Sequence, residues 1–344
     1  MIPKERETIL LEGGTPDRVP IWQINGIVAA HYFGYAWNAV RGDAKLSVDL
    51  MRRFTRLSGT DIMAPGVIET NAMILDLPGT GVKFQDDNYL NVTSHYFAGA
   101  EDVESKELYD PSDPKEAKNL WKYHLDKIAL MAEIEDEFSV NNTSWGVFTA
   151  AGLLRDVETL MMDIMMEPDI AHKVVDRATV LVDEVVRAGM ETGCDNVHLT
   201  DPMGSGSLIP GETFEEYASP HLKRMIAGYK KDYNAPTYLI CGDSVPDTES
   251  LSELGMALFA FYPNDNVTEL RKRFGTKTIL AGNLDPLNVI WRGTPESVMR
   301  ASKKCLEDAR GTRFVLATGG ETPRDTSLEN LRAMLAASKK YSDP

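Results

Sequence analysis

The stretch Pro236-Thr-Tyr-Leu-Ile-Cys-Gly-Asp243 reads as a buried strand that delivers Cys241 and turns at Gly242. A run of β-branched and aromatic residues closed by glycine fits a strand end. Ser244 to Leu254 then carries the apolar spacing of a short helix, and a new apolar run opens at Met256. A thiol where a parallel strand meets its loop stands where α/β folds keep their chemistry. The alternative is that Cys241 is a small buried hydrophobe.

Downstream the pattern repeats. Val267 to Phe274 reads as a helix, Thr278 to Ala281 as a strand, Pro295 to Ala309 as a helix, Phe314 to Ala317 as a strand and Leu328 to Ser338 as a final helix. Upstream come the helix Phe214 to Tyr229, the strand Asn196 to Thr200 ending in Asp201, and the long helix Pro168 to Thr192. Leu153 to Met166 is a Met-rich helix whose spacing signals packing. Before it, Thr143 to Phe148 reads as a strand and Pro114 to Phe138 as a helix. Gly79 to Thr93, with its Asp86-Asp87-Asn88 turn, reads as an inserted hairpin and a candidate dimer contact. Near the start lie the helix Lys4 to Glu12, the strand Ile21 to Asn25, the helix Leu46 to Ser58 and a short strand Thr60 to Ala64 stopped by Pro65-Gly66. Strands alternating with helices at close spacing imply a parallel sheet with crossover helices. About eight such units predict an α/β fold, a TIM-like (β/α)8 barrel with a helical and hairpin insertion, spanning residues 1–344 as one domain.

Composition sets the outer limits. The chain has 344 residues, 43% of them hydrophobic, and a formal charge of −16. Such acidity argues against nucleic acid or an anionic membrane as partner, because both call for a basic face. No apolar run reaches the length of a membrane span, and the charged start Met1-Ile-Pro-Lys-Glu-Arg-Glu7 lacks a secretion segment, so a cytoplasmic location is expected. Three distant cysteines, Cys194, Cys241 and Cys305, form neither a disulfide framework nor a paired metal motif. A Gly-x-Ser-x-Gly elbow is absent, and Gly204-Ser-Gly206 lacks the lysine of a phosphate loop.

In a barrel of this kind the chemistry sits at the carboxyl ends of the strands. Those ends carry Asn25, Asp201, Cys241, Tyr262, Asn283 with Asp285, and Glu321. Asp201 follows an apolar strand and is expected to face the mouth; its other reading is a cap on the next segment. Asn283 and Asp285 fit loop formation equally well, and for Asp285 that reading is favoured. His198 alternates with Asp201 and is read as structural, and His221 as a surface helix residue. Cys241, Asp201 and Glu321 together would suit a borderline-soft cation such as zinc, although no two of them sit at a ligand spacing.

The chain resembles the uroporphyrinogen decarboxylase superfamily over nearly its whole length. The motifs are Thr15-Pro-Asp-Arg-Val-Pro20, Gly146-Val-Phe-Thr-Ala150, Leu239-Ile-Cys-Gly-Asp243, Gly282-Asn-Leu-Asp-Pro286 and Thr318-Gly-Gly-Glu-Thr-Pro323. True decarboxylases of that family grip porphyrinogen carboxylates with an arginine-rich segment, whereas Ile21 to Gly34 here has no arginine. The resemblance therefore implies the corrinoid-dependent methyltransferase branch. Thiol-methylating members bind zinc through His-x-Cys and a later cysteine; Cys241 matches the first cysteine, but Leu239 and Gly320 stand at the other two positions. The resemblance then implies an O-demethylase-like enzyme that moves a methyl group from a methoxylated aromatic to the Co(I) of a separate corrinoid protein. Zinc on Cys241, Asp201 and Glu321 would polarise the ether, and Trp22, Asn25, Tyr262 and Asn283 would bind the substrate. A methylcobalamin-to-thiol methyltransferase of the coenzyme M type and a non-catalytic barrel that binds a corrinoid or tetrapyrrole are the alternatives.

Overall fold

The computed structural model describes residues 1–63, 74, 76, 77, 79–83, 91–108, 119–242 and 246–342. Its strands are β1 (Ile21–Ile24), β2 (Gly81–Lys83), β3 (Asn91–Ser94), β4 (Asn141–Trp145), β5 (Asn196–Asp201), β6 (Thr237–Cys241), β7 (Leu258–Ala260), β8 (Ile279–Leu284) and β9 (Phe314–Glu321). Seven of them form one parallel sheet in the order β1-β9-β8-β7-β6-β5-β4, so the first strand pairs with the last. The arms β2 and β3 pair separately and antiparallel, as expected for the hairpin; its Asp86-Asp87-Asn88 turn lies outside the described residues.

Strand alternation divides two cores. Trp22, Tyr238, Ile240, Leu258, Ala260, Ile279, Ala281, Val315 and Ala317 pack together inside the barrel. Their neighbours Ile21, Leu199, Leu239, Phe259, Leu280 and Leu316 point outward and pack in the larger core that includes helix residues such as Val174 and Leu222. A period of two on strands covered by helices produces this partition.

The eighth position of the ring is irregular. The expected strand Thr60 to Ala64 runs between β1 and β4 without a regular ladder, and Ala64, Pro65 and Gly66 lie outside the described residues. One backbone bond, from the Asp61 N–H to the Ile21 carbonyl at 2.8 Å, joins the segment to β1, and side chains supply further links. The Ile21 N–H donates to the Asp61 carboxylate at 2.8 Å, the Gln23 N–H donates to the Thr60 hydroxyl at 3.0 Å, and Asn141 Nδ2 donates to the Met63 carbonyl at 2.6 Å. Ile62 still joins the inner core. At the amino-terminal end of the barrel the helix Pro3–Leu11 forms the floor, with Leu10 in the inner core and Glu7 buried.

Several boundaries differ from expectation. The strand read as Thr143 to Phe148 ends at Trp145, and a helix, Val147–Arg155, starts directly after Gly146 because Asp201 accepts the Phe148 and Thr149 amides. The Met-rich helix is two helices, broken at Asp156, whose φ of 76° interrupts the helix and whose carboxylate caps Val157–Met166. The helix expected to reach Phe138 stops at Ile134, where the Glu135 carboxylate accepts the Glu137 and Phe138 amides; residues 114–118 are outside the described set. Of the stretch Ser244 to Leu254, Ser244 and Val245 lie outside the described residues, and Ser250–Glu253 forms a single 3-10 turn. Among the described residues no helix is long and apolar enough to cross a membrane.

Candidate active site at the barrel mouth

Inward-facing residues near the strand carboxyl ends enclose a cavity of about 140 Å3. Strand β1 contributes Trp22 and Ile24, β4 Thr143 and Trp145, β5 His198 and Thr200, and β6 Ile240. Tyr262 enters after β7, Glu321 from the end of β9, and Pro202 closes one side. Trp22 and His198 are buried deep, whereas Trp145, Thr200, Tyr262 and Glu321 keep partial exposure toward the mouth. Among the described lining residues there is no lysine, arginine, cysteine or serine.

His198 lies parallel to Tyr238 with ring centroids 4.6 Å apart and meets Trp22 edge-on at 5.1 Å. Burial pushes its pKa down to about 3, so the imidazole is neutral at physiological pH. Both of its nitrogens, the indole N–H groups of Trp22 and Trp145, and the Thr143 hydroxyl are buried with no hydrogen-bond partner among the described residues. Buried polar atoms are normally satisfied, and such a cluster in a cavity calls for a ligand or ordered water.

Of the residues predicted from sequence, Trp22, Tyr262 and Glu321 line this lumen. The others do not. Asn25 donates to Gln23 Oε1 at 3.1 Å and to the Ser58 hydroxyl at 3.5 Å, away from the cavity. Asn283 donates to the Asp265 carbonyl at 2.9 Å and borders a separate outer cleft beside Cys305. Asp285 is a loop former, as favoured, accepting the Leu287 and Asn288 amides. His221, expected at the surface, is nearly buried, with Asp176 Oδ1 at 3.8 Å from its Nε2.

Asp201 and Cys241 stand opposite each other in register on β5 and β6. Both belong to the outward set of the strand alternation, on the helix side of the sheet, and Cys241 packs in the outer core. The Asp201 carboxylate accepts the Phe148 N–H at 3.2 Å, the Thr149 N–H at 2.7 Å and the Thr149 hydroxyl at 2.7 Å. It therefore caps the helix after β4, not the segment that follows it. Burial raises its pKa above the ordinary carboxylate value despite those donors. Gly146 allows the approach, since a Cβ there would come within 2.4 Å of the Asp201 side chain. Burial also pushes the Cys241 thiol up, and the adjacent Asp201 adds to the shift. Leu239 shares the outer side with Cys241. Gly320 has φ 147°, a conformation that a side chain there would strain.

Cys241 and Asp201 thus lie on one side of the sheet and Glu321 on the other. Among the described residues no three His, Cys, Asp or Glu side chains are grouped to hold a metal ion, and the set expected for zinc is not assembled.

Sequence reasoning missed Trp145, Thr143, Thr200 and the inward side of His198. Alternation within Thr143-Ser-Trp145 carried the signal for the first two, but it was obscured by extending the strand through Gly146.

The profile of the family described as Uroporphyrinogen decarboxylase (URO-D) matches residues 3–341. The chain belongs to the uroporphyrinogen decarboxylase family. Within reach of this family member is the "Methylcobamide:CoM methyltransferase MtbA" of Methanosarcina mazei, 26% identical over 98% of both chains. The "Methylated-thiol--coenzyme M methyltransferase" of the same organism is 32% identical over 57% of this chain and 52% of its own. A solved structure described as a methyltransferase from Methanosarcina mazei superposes with a TM-score of 0.86 at 20% identity, covering 99% of each chain, and shares the α/β barrel fold.

Proposed function

We propose that the protein transfers a methyl group between a corrinoid carried by a separate protein and a small molecule seated in the lumen. The observation that carries this reading is the lumen itself. It opens at the strand carboxyl ends, is walled by Trp22, Trp145 and Tyr262, and has no cysteine, serine, lysine or arginine among its described lining. Such a pocket supplies shape and polarity, and suits a reaction whose nucleophile arrives with the second substrate. A corrinoid supplies that nucleophile as Co(I), or presents the methyl group itself when already methylated.

Relatives spanning 98% of both chains carry names that pair a methylcobamide with coenzyme M, which supports a thiol acceptor over the aryl-ether donor expected from sequence. The aryl-ether reading keeps one argument of its own, the aromatic walls that would pack against a planar ring. No step is assigned to zinc, because the residues expected to hold it stand on opposite sides of the sheet.

The test follows cobalamin spectra. Consumption of methylcobalamin in the presence of coenzyme M would support the thiol reading. Methylation of cob(I)alamin by a methoxylated aromatic would select O-demethylation. Tight pigment binding without turnover in either direction would remove the enzyme reading and leave a binding barrel.

A further inference from the structure

Three aromatic side chains and one carboxyl group wall the same small space: Trp22 on β1, Trp145 on β4, Tyr262 after β7 and Glu321 at the end of β9. Aromatic faces carry a negative quadrupole, and they attract a desolvated cation within about 6 Å of the ring centre. An acidic side chain on the same wall adds to that attraction, and no lysine or arginine among the described lining opposes it. The imidazole of His198 is neutral and adds no repulsion.

The unpartnered donors supply a second requirement. The indole N–H groups of Trp22 and Trp145 and the Thr143 hydroxyl are buried without partners among the described residues. An oxygen acceptor on the ligand, beside its cationic end, would satisfy those donors that a bound molecule reaches.

Leaving-group chemistry points the same way. A methyl ether expels an anionic oxygen, which calls for an acid or a metal; Glu321, the one acidic residue of the described lining, cannot donate a proton while it holds a cation as carboxylate. A methyl group on quaternary nitrogen or tertiary sulfur needs neither. Its carbon–heteroatom bond breaks with the electron pair staying on the heteroatom, which departs as a neutral amine or sulfide. The methyl group forms its new bond to the two-electron Co(I) centre of the corrinoid co-substrate.

We infer that the lumen binds a small methylated onium bearing an oxygen function, a quaternary ammonium or tertiary sulfonium, as methyl donor. This rests on the corrinoid methyl-transfer reading, taken in the direction from the small molecule to Co(I), and sets an onium donor against the thiol acceptor that the relatives' names support.

Calorimetric titration of the full chain tests it with three probes of nearly equal shape: choline, its dimethylsulfonium analogue and the neutral isostere 3,3-dimethyl-1-butanol. The two cations should bind at least about tenfold tighter than the alcohol. Glu321→Gln should remove roughly that factor for the cations and leave the alcohol unchanged; Tyr262→Leu should weaken cation binding several-fold, while Tyr262→Phe stays within about twofold. Circular dichroism melts confirm that each variant folds. Equal or tighter binding of the alcohol, or cation binding indifferent to Glu321→Gln, overturns the inference. Cob(I)alamin then separates the two readings, and whichever cation methylates it identifies the heteroatom. Onium binding that never methylates cob(I)alamin supports the ligand class and counts against the corrinoid reading. Turnover of a thiol or an ether with no onium binding preserves the corrinoid reading and overturns this one.

Discussion

Arg18 grips Asp61 through two parallel hydrogen bonds, Nη1 to Oδ2 at 2.7 Å and Nη2 to Oδ1 at 2.8 Å. The same carboxylate accepts Arg6 Nη1 at 2.6 Å and the Ile21 amide at 2.8 Å, and it is fully buried. Arg6 reaches back to Asp17 Oδ1 at 2.6 Å. The motif Thr15-Pro-Asp-Arg-Val-Pro20 is therefore a fastening that ties the floor helix, β1 and the irregular eighth segment together. Removing the shared charge leaves two guanidinium groups facing a neutral amide. Asp61→Asn should cost about 3–5 kcal/mol in urea unfolding, because breaking a buried ion pair strands its partners. A loss below about 1 kcal/mol would show that solvent reaches this cluster and screens it.

Glu7 gives the barrel floor a pH dependence of definite sign. Burial raises its pKa from 4.5 to about 7, against the opposing hydrogen bond from Tyr238. The folded state thus holds a proton that the unfolded chain has already released. The resulting stability is fully present below pH 4.5 and is lost as pH rises through about 7. The rise from 4.5 to about 7 corresponds to roughly 3 kcal/mol at the upper bound. Glu7→Gln, which keeps an acceptor for Tyr238, should raise the melting temperature at pH 8 and flatten its decline between pH 5 and 8. An unchanged slope would place that titration elsewhere in the molecule.

Asp201 is expected to act on stability rather than on ligand affinity. Asp201→Ala strips the cap from Val147–Arg155 and should lower stability by about 1–3 kcal/mol. Gly146→Ala should cost a similar amount by driving a methyl group into the carboxylate. Both variants should keep wild-type affinity for a lumen ligand. A collapse of that affinity in Asp201→Ala, with the fold intact, would return Asp201 to the site.

Cys241 makes a complementary prediction. Elemental analysis of the purified protein should give the same zinc content in wild type and in Cys241→Ala, since the thiol packs in the outer core away from Glu321. The substitution should cost about 1 kcal/mol through the small cavity it leaves. Near one zinc per chain in wild type, abolished in the variant, would contradict this placement.

The order of strands and helices was readable because buried parallel strands leave continuous apolar runs between amphipathic helices. Trp22, Tyr262 and Glu321 lie at the lumen because strand carboxyl ends collect at one face of a barrel. Facing was not readable. Cys241 and Ile240 are neighbours in sequence, yet one lies in the outer core and the other lines the lumen. A one-residue error in where alternation stops exchanges those two fates. Asp201 shows a second limit: its partners are amides more than fifty residues earlier, and no local pattern announces a cap supplied from another strand. The eighth segment departs from a strand for a related reason: a single backbone bond and the side chains of Asp61 and Thr60 tie it to β1 in place of a regular ladder.

The pairing of β1 with β9 has a consequence for how the molecule is made. On the ribosome, Ile21 emerges before Leu316, its ladder partner, and must wait for it until β4 to β8 have all been synthesised. Until then the inner wall bearing Trp22 and the greasy edge of β1 have no permanent cover. Such late-closing contacts favour nascent chains that engage chaperones or stray into one another. Truncations that stop short of Phe314 should accordingly be recovered as aggregates, while fragments ending after Tyr341 should fold into soluble material.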